Sequence, residues 1–368
     1  MEYDSHYYAV IALCRILGYQ RDIARKIAYS SEFVDDAVIR RVIFRKAPRG
    51  VKCYLFGKRT GLGNAATCPK IMNVWNYKAR AMIETLVPFH FIPGGRGRSF
   101  QEKMRTFPDS PLLKQLLENT VNSGDIYRLG IALHVLADAY SHQGFSGVIS
   151  RRNRIKSLRV KKGSVRGFHQ HLVRGYMIHF DRIMTRLFGR ILPVYSHSSA
   201  GTIPDIASAE WEYEYDTGES FIAKYRHSGH ISNPQRYQMA FETIKKVLLD
   251  FREKHPEVRG DLPEFPGMEL FFRQFAEPRS LGESVNKWKA FLLEYGLLKE
   301  DDPGLHYDPQ EWIRKAFSDY RQKKYVRPVV LNARASADFL HSDWYAFYRA
   351  AGEYREQYRR LAVFQGIF

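Results

Sequence analysis

The chain has 368 residues and a formal net charge of +18, from 57 lysines and arginines against 39 acidic residues. It begins MEYDSH without a basic, then apolar leader, and no apolar run approaches the roughly 20 residues of a membrane helix, so we expect a cytoplasmic protein without a transmembrane segment. Its cysteines, Cys14, Cys53 and Cys68, are odd in number and lack CxxC spacing, so neither a disulfide framework nor a thiolate metal site is indicated.

Apolar residues recur with helical spacing along most of the chain, and strand-like alternation is weak. The predicted helices are Tyr8–Leu17, Arg21–Ala37, Lys78–Leu86, Ser110–Asn119, Gly124–Gln143, Gly167–Leu187, Asn233–Lys254, Met268–Phe275, Glu283–Leu297, Pro309–Lys323 and Ala335–Arg360. Prolines and glycines predict a loop over residues 46–70 and a linker after residue 255. The expected fold is all-α, with a metal-binding core over residues 1–255 and a helical extension over 256–368 that packs on it.

The segment His134-Val-Leu-Ala-Asp138-Ala-Tyr-Ser-His142 carries two histidines and an aspartate four residues apart. On an α-helix this spacing places all three on one face. Imidazole and carboxylate groups are the usual ligands of zinc and similar divalent metals. The flanking residues are mostly apolar, and a buried aspartate is rare unless it is paired or bound to metal. The segment therefore predicts either part of a metal site or two core histidines hydrogen-bonded to Asp138.

A basic segment follows this helix. It has eight basic residues and no acidic one: Arg151, Arg152, Arg154, Lys156, Arg159, Lys161, Lys162 and Arg166. One interpretation is a solvated loop. Position and sign favour an arm that binds phosphate beside the metal helix, with Arg151, Arg152, Arg154 and Lys156 as the candidate contacts. The net charge predicts nucleic acid or another polyanion as the partner, and it also suits an anionic membrane surface.

Further histidines and aspartates come in separate segments, as do ligands that a helical bundle gathers. The complete set of candidate metal ligands is His6, Asp35, Asp36, His90, His134, Asp138, His142, His197 and Asp205. Two or three ions need about eight to ten donors, because each keeps about four ligands. The set therefore suits one to three zinc ions, or another divalent metal.

The order of these residues resembles a known superfamily. An early His, an Asp, a His, an HxxxD pair, another His and a late His with a carboxylate look like the zinc-dependent phospholipase C and P1/S1 nuclease superfamily. Within it, the stretches HYY from His6, FVDD ending at Asp36, PFHF around His90, ADxxSHQGFSG from Ala137 and IPD ending at Asp205 are similar to an uncharacterised bacterial family. That similarity covers residues 1–250, with a weaker helical match beyond them.

The resemblance implies a mostly helical fold with up to three zinc ions that cleaves phosphodiester bonds in nucleic acids or phospholipids. It matches His6 with Asp35 or Asp36 to the first ligands, His90 to the middle histidine, His134 and Asp138 to the helix pair, His142 to the next histidine, and His197 with Asp205 to the last pair. Asp138, as a bridge, His134 and His142 are then the candidate catalytic residues. The characterised enzymes also use an N-terminal tryptophan as a ligand, and no Trp lies near Met1 here.

Two functions remain open on the sequence. One is metal-assisted hydrolysis of a phosphodiester, with nucleic acid favoured over phospholipid because of the charge. The other is a non-catalytic basic protein that keeps a structural or decayed metal site and holds nucleic acid or an acidic partner.

Overall fold

The structure is a computed structural model that describes residues 1–68, 79–148, 150, 153, 155–162, 197, 200–215, 229–321 and 330–368. The predicted helix Gly167–Leu187 lies outside these residues. The helices described are α1 (Val10–Ile16), α2 (Arg21–Asp36), α3 (Ala79–His90), α4 (Phe100–Lys103), α5 (Pro111–Ser123), α6 (Ile126–Ser141), α7 (Asn233–Lys254), α8 (Met268–Arg273), α9 (Leu281–Glu294), α10 (Glu311–Ala316) and α11 (Asp343–Phe364). A π-helical turn over Asp4–Ala9 precedes α1, and single 3₁₀ turns lie at Ile203–Asp205, Pro256–Val258, Pro303–Leu305 and Phe339–His341.

Two sheets show that the predicted all-α class is wrong and that the fold is mixed α/β. The strands described are β1 (Arg41–Phe44), β2 (Tyr54–Phe56), β3 (Arg59–Gly63), β4 (Ile155–Lys162), β5 (Glu210–Tyr215), β6 (Ile231–Ser232) and β7 (Val330–Ala333). The first sheet has the order β2-β3-β1-β7, with β1 and β7 parallel, and the second is antiparallel in the order β4-β5-β6.

The strands of the first sheet are too short for a periodicity argument. β1, β2 and β3 have three to five residues each, and glycines inside β3 indicate a loop when the sequence is read alone. Gly61 is in β3 because the neighbouring strand approaches closely. A Cβ at this position would lie 2.0 Å from the carbonyl oxygen of Val42 in β1. The residue that indicates a loop in the sequence is therefore the one that permits this pairing.

Helix α6 lies at the centre of the helical layer, against α2, α3, α5, α7 and α11. Its start is fixed by Asp125, whose side chain accepts hydrogen bonds from the backbone amides of Tyr127 and Arg128. Gly130 allows α2 to approach, since a Cβ there would lie 2.4 Å from the carbonyl oxygen of Ile27. This close contact brings the last turn of α2 next to the middle of α6.

The residues after 255 share one hydrophobic core with those before it. The Tyr7 and Tyr8 hydroxyls donate hydrogen bonds to the carbonyl oxygens of Gly304 and Leu305. Trp312 of α10 stacks on Tyr29 of α2 with ring centroids 3.9 Å apart. These contacts pack α10 and the chain at Gly304 against α2 and the π-helical turn. No helix among the described residues has the length and apolar character needed to cross a bilayer.

Arg355 of α11 holds the loop that follows β3, and its replacement tests this role. Its buried guanidinium donates to the carbonyl oxygens of Glu84, Asn64 and Ala66 at 2.8–2.9 Å, and burial lowers its pKa to about 10. We expect Arg355→Met to lower the free energy of unfolding by about 3–5 kcal/mol, because one buried and two partly buried carbonyls lose their donor.

Urea denaturation measures this effect. Arg359→Met on the same helix is the control, since the Arg359 side chain is 44% exposed and should contribute less than about 1 kcal/mol. Equal losses from the two variants would contradict the role given to Arg355.

Candidate metal centre

Six segments bring histidines and aspartates to one place in the helical layer. His6 comes from the π-helical turn, Asp35 from the last turn of α2, and His90 from the end of α3. Helix α6 supplies His134, Asp138 and, at its C-cap, His142. His197 lies in the chain before the 3₁₀ turn, which ends at Asp205.

Asp138 is the centre of the arrangement. Its Oδ1 is 3.2 Å from His6 Nε2, and its Oδ2 is 3.2 Å from both His90 Nδ1 and His134 Nε2. His142 Nδ1 lies 3.7 Å from the same Oδ2. The carboxylate is 1% exposed, so each of these contacts lies away from bulk water. One buried carboxylate thus faces four imidazoles.

Three groups have ligand atoms close enough to share a metal ion. They are His6, His134 and Asp138; Asp35, His90 and His134; and His142, His197 and Asp205, with ligand atoms within 4.8 Å of one another in each group. In the third group Asp205 lies 2.9 Å from His142 Nε2 and 3.3 Å from His197 Nε2. These groups contain eight of the nine candidate ligands, with His134 shared between two of them.

Asp36 is the ninth candidate ligand, and it lies in none of these groups. Tyr307 donates a hydrogen bond of 2.6 Å from its hydroxyl to Asp36 Oδ2. Its neighbour Asp35 instead lies 3.5 Å from His90 Nδ1. Consecutive residues on a helix point about 100° apart, so one faces the histidines and the other faces Tyr307.

The α-amine of Met1 also enters the centre. Its nitrogen is 2.7 Å from Asp138 Oδ1, 3.1 Å from Asp205 Oδ1 and 3.4 Å from Ser141 Oγ. The amine is buried, and it lies between the two aspartates of the first and third groups. The sequence offered no signal for this contact, because any chain carries an amine at its first residue and only the fold places it.

Two histidines have the hydrogen bonds typical of metal ligands. His142 Nδ1 lies 2.9 Å from the carbonyl oxygen of His90, and His197 Nδ1 lies 2.8 Å from that of Gly201. Such contacts fix the ring tautomer, with Nδ1 as the donor, and leave Nε2 with a lone pair. In both rings Nε2 then faces Asp205. Phe91 stacks on His142 with ring centroids 4.5 Å apart, which holds the ring in this orientation.

The electrostatics are those of a site in which charges neutralise one another. Burial alone would raise the pKa of both aspartates. The Met1 ammonium and the histidines hold the pKa values of Asp138 and Asp205 well below the usual range. Burial works against the Met1 ammonium, yet Asp138 and Asp205 raise its pKa to about 11. Without metal, a positive charge therefore already lies between the two carboxylates.

The histidines of the centre differ in how their surroundings shift their pKa values. Burial lowers the pKa of His6 to about 3 and also lowers that of His197, so both rings are neutral at pH 7. Burial also works against the charged form of His90, but its hydrogen bonds with Asp138 and Cys68 raise its pKa well above the usual value. His6 and His134 each have a buried Nδ1 without a hydrogen-bond partner among the described residues. Most buried polar side-chain atoms are hydrogen-bonded, so these two nitrogens call for a role such as binding an ion.

The chain belongs to the DUF6765 family, a family of unknown function. The model of this family matches residues 1–361, which is nearly the whole chain. Comparisons with curated proteins and with solved structures gave no match. The chemistry of the centre must therefore be argued from its own residues.

The phosphate contacts predicted from the basic segment lie mostly outside the described residues. Arg151, Arg152 and Arg154 are outside them, and Lys156 is described only as a backbone position in β4. The described end of this strand carries Lys161, whose Nζ is 3.1 Å from Glu212 of β5. The predicted arm therefore remains a prediction.

Sequence reasoning also missed Cys68 as a neighbour of the centre. Cys68 is partly buried beyond β3 and hydrogen-bonds with His90. Burial raises the pKa of this thiol. Its spacing to the other cysteines indicated no role, because the contact is with a histidine of α3 that is distant in sequence.

Proposed function

We propose that this protein is a metal-dependent phosphoesterase that hydrolyses a phosphodiester, with zinc as the metal. The observation that carries the proposal is the meeting of three adjoining His/Asp groups around Asp138, with Met1 and Asp205 beside it. Adjoining metal sites are the arrangement that two-metal phosphoesterases use. The earlier resemblance to the phospholipase C and P1/S1 nuclease superfamily supports the same function.

The donor set suits zinc. It consists of imidazole nitrogens, carboxylate oxygens and one amine, without a thiolate in the three groups, and such donors bind zinc and related borderline metals. Zinc held in this way supplies Lewis acidity and makes a bound water acidic enough to attack at neutral pH.

Each side chain has a defined task in this proposal. Asp35 and His90 would hold one ion, His6 and the Met1 amine another, and His142, His197 and Asp205 a third. His134 and Asp138 lie between the donors of the first two ions and would help to hold them. Phe91 stacks on the ring of His142 and keeps it in place. The preference for nucleic acid over phospholipid rests on the net charge of +18.

A second candidate is a non-catalytic protein with a structural or decayed metal site. The Met1 ammonium favours it, because this cation pairs with Asp138 and Asp205 at 2.7 and 3.1 Å. The centre is thereby partly neutralised without a metal. Such a protein would use its basic surface to bind nucleic acid or an acidic partner.

The adjacent pair Asp35 and Asp36 provides a matched test of the hydrolase. We expect the purified protein, supplied with zinc, to hold two or three ions and to cleave single-stranded DNA, RNA or a phospholipid. Asp35→Asn should remove one ion and lower turnover at least about 100-fold, because it takes a charged ligand from the His90 group.

The control is Asp36→Asn, which should keep both metal content and turnover, because Asp36 pairs with Tyr307 instead. Metal content is measured by mass spectrometry and turnover by product release. A folded protein that takes up zinc but cleaves none of the three substrates would favour the second candidate. A protein that stays empty when zinc is supplied would rule out the hydrolase.

A further inference from the structure

The hairpin formed by β2 and β3 lies in a stretch of the sequence that has many basic residues and no acidic one. No acidic residue occurs in the sequence between Asp36 and Glu84. Seven basic side chains in the described part of this stretch are exposed: Arg41, Arg45, Lys46, Arg49, Lys52, Lys58 and Arg59. This region is distinct from the basic segment after α6, and the proposed hydrolysis does not use it.

The same hairpin exposes two large apolar side chains in adjacent positions. Tyr54 is 54% exposed and Leu55 is 77% exposed. Among the described strands, β2 is at the edge of its sheet and pairs with β3 alone. Natural edge strands usually avoid exposed apolar side chains, because they invite association. Apolar side chains retained at an edge, among basic ones, indicate a contact surface.

The two side chains lie on opposite faces of the strand. Tyr54 pairs with Gly61 and Leu55 with Thr60, and neighbouring residues in a strand point to opposite sides. Phe56 lies on the same face as Tyr54, since a Cβ on Gly63 would come within 3.3 Å of the Phe56 ring and 3.9 Å of the Tyr54 ring. Arg41 covers the Phe56 ring, with its guanidinium carbon 5.1 Å from the centroid.

The placement of these side chains favours a lipid bilayer over single-stranded nucleic acid as the partner. Single-stranded nucleic acid would need aromatic rings open on one face, where bases could stack. Here one ring of that face is covered by Arg41, and the most exposed side chain is an aliphatic one on the other face. A lipid bilayer accepts apolar groups on both sides of an edge that enters it, while basic groups around that edge meet anionic headgroups.

We propose that the β2–β3 hairpin binds the protein to the surface of an anionic lipid bilayer. Tyr54 and Leu55 enter the boundary between headgroups and acyl chains, and Lys52, Lys58 and Arg59 contact the headgroups. No other described strand covers the outer edge of β2, and backbone groups at such an edge must stay hydrated, which limits the depth. The binding is peripheral, and it is independent of the metal centre and of the proposed hydrolysis.

Vesicle sedimentation tests the proposal directly. The full chain is mixed with vesicles of phosphatidylcholine alone or with phosphatidylglycerol added, with and without a chelator. We expect binding only to the anionic vesicles, weakened by high salt and unaffected by the chelator. Leu55→Ser should weaken it about tenfold. Lys52→Gln with Lys58→Gln should weaken it by about fivefold for each charge removed.

The matched control is Leu262→Ser. Leu262 is 68% exposed but lies between Asp261 and Glu264, so its loss should leave vesicle binding unchanged. Circular dichroism checks that all variants are folded. Equal binding to neutral and anionic vesicles, or equal weakening by the control, would overturn the proposal. The proposal would also be overturned if the unchanged protein did not bind vesicles and the hairpin variants lost affinity for single-stranded DNA.

Discussion

Replacing Asp138 by asparagine is expected to remove two metal ions at once and to abolish turnover. Asp138 lies 3.2 Å from His6, His90 and His134, so it contacts members of both groups that contain His134. Asparagine keeps the shape but loses the negative charge that offsets a dication. Removing an outer partner of a ligand costs about 10–100-fold in metal affinity or activity, so removing a shared ligand should cost at least about 100-fold.

The comparison variant is Asp205→Asn. Asp205 belongs only to the group with His142 and His197, so this change should remove one ion. The group that contains Asp35 and His90 should keep its ion. Metal content per chain distinguishes the loss of two ions from the loss of one. Circular dichroism of the same samples shows whether each variant is folded. Unchanged metal content in folded Asp138→Asn protein would contradict the central position given to this carboxylate.

Spacing along α6 was enough to predict that His134, Asp138 and His142 share a face. It could not decide between Asp35 and Asp36, because both end the same helix and only the positions of His90 and Tyr307 separate them. His197 and Asp205 are separated by a turn containing Gly201, whose carbonyl orients the His197 ring. Such convergence depends on the tertiary structure, and the sequence indicates only that suitable donors are present.

The fold, like the site, could be predicted from the sequence only in part. Long helices such as α6 and α7 have several turns of apolar periodicity, so their pattern was legible. The sheet of β1, β2, β3 and β7 joins segments nearly 290 residues apart, with Arg41 opposite Val330. Each strand alone is shorter than a window that could distinguish strand from loop. In this sheet the all-α expectation was wrong because the strands are specified by pairing partners and not by their own pattern. In the second sheet, β5 has the strict alternation EWEYEY, which is a strand signal that the prediction missed.

Zinc binding to the chain with a free Met1 amine is expected to release about two protons at pH 7. Asp138 and Asp205 raise the pKa of the amine to about 11, and the contacts of His90 raise its pKa above the usual value, so both groups are protonated before the metal enters. A ligand nitrogen must lose its proton to bind metal. His6 and His197 have lowered pKa values and contribute no proton.

Competition between protons and zinc sets how the zinc affinity depends on pH. Zinc affinity should rise with pH by up to about 100-fold per unit near pH 7, where two protons compete with the metal. The stability of the metal-free protein should instead fall at high pH. The folded pKa of the amine, about 11, exceeds its unfolded value of 8.0, so this stabilisation is complete below pH 8 and is lost as the pH rises through 11.

Calorimetry in buffers of different ionisation enthalpy counts the released protons. A chain extended by a short peptide before Met1 provides the comparison, because its amine becomes an amide that cannot pair with Asp138 and Asp205. We expect it to release one proton fewer and to hold one ion fewer, whereas the same peptide after Phe368 should change neither. Equal proton release from all three proteins would show that the Met1 amine lies at the centre without binding the metal.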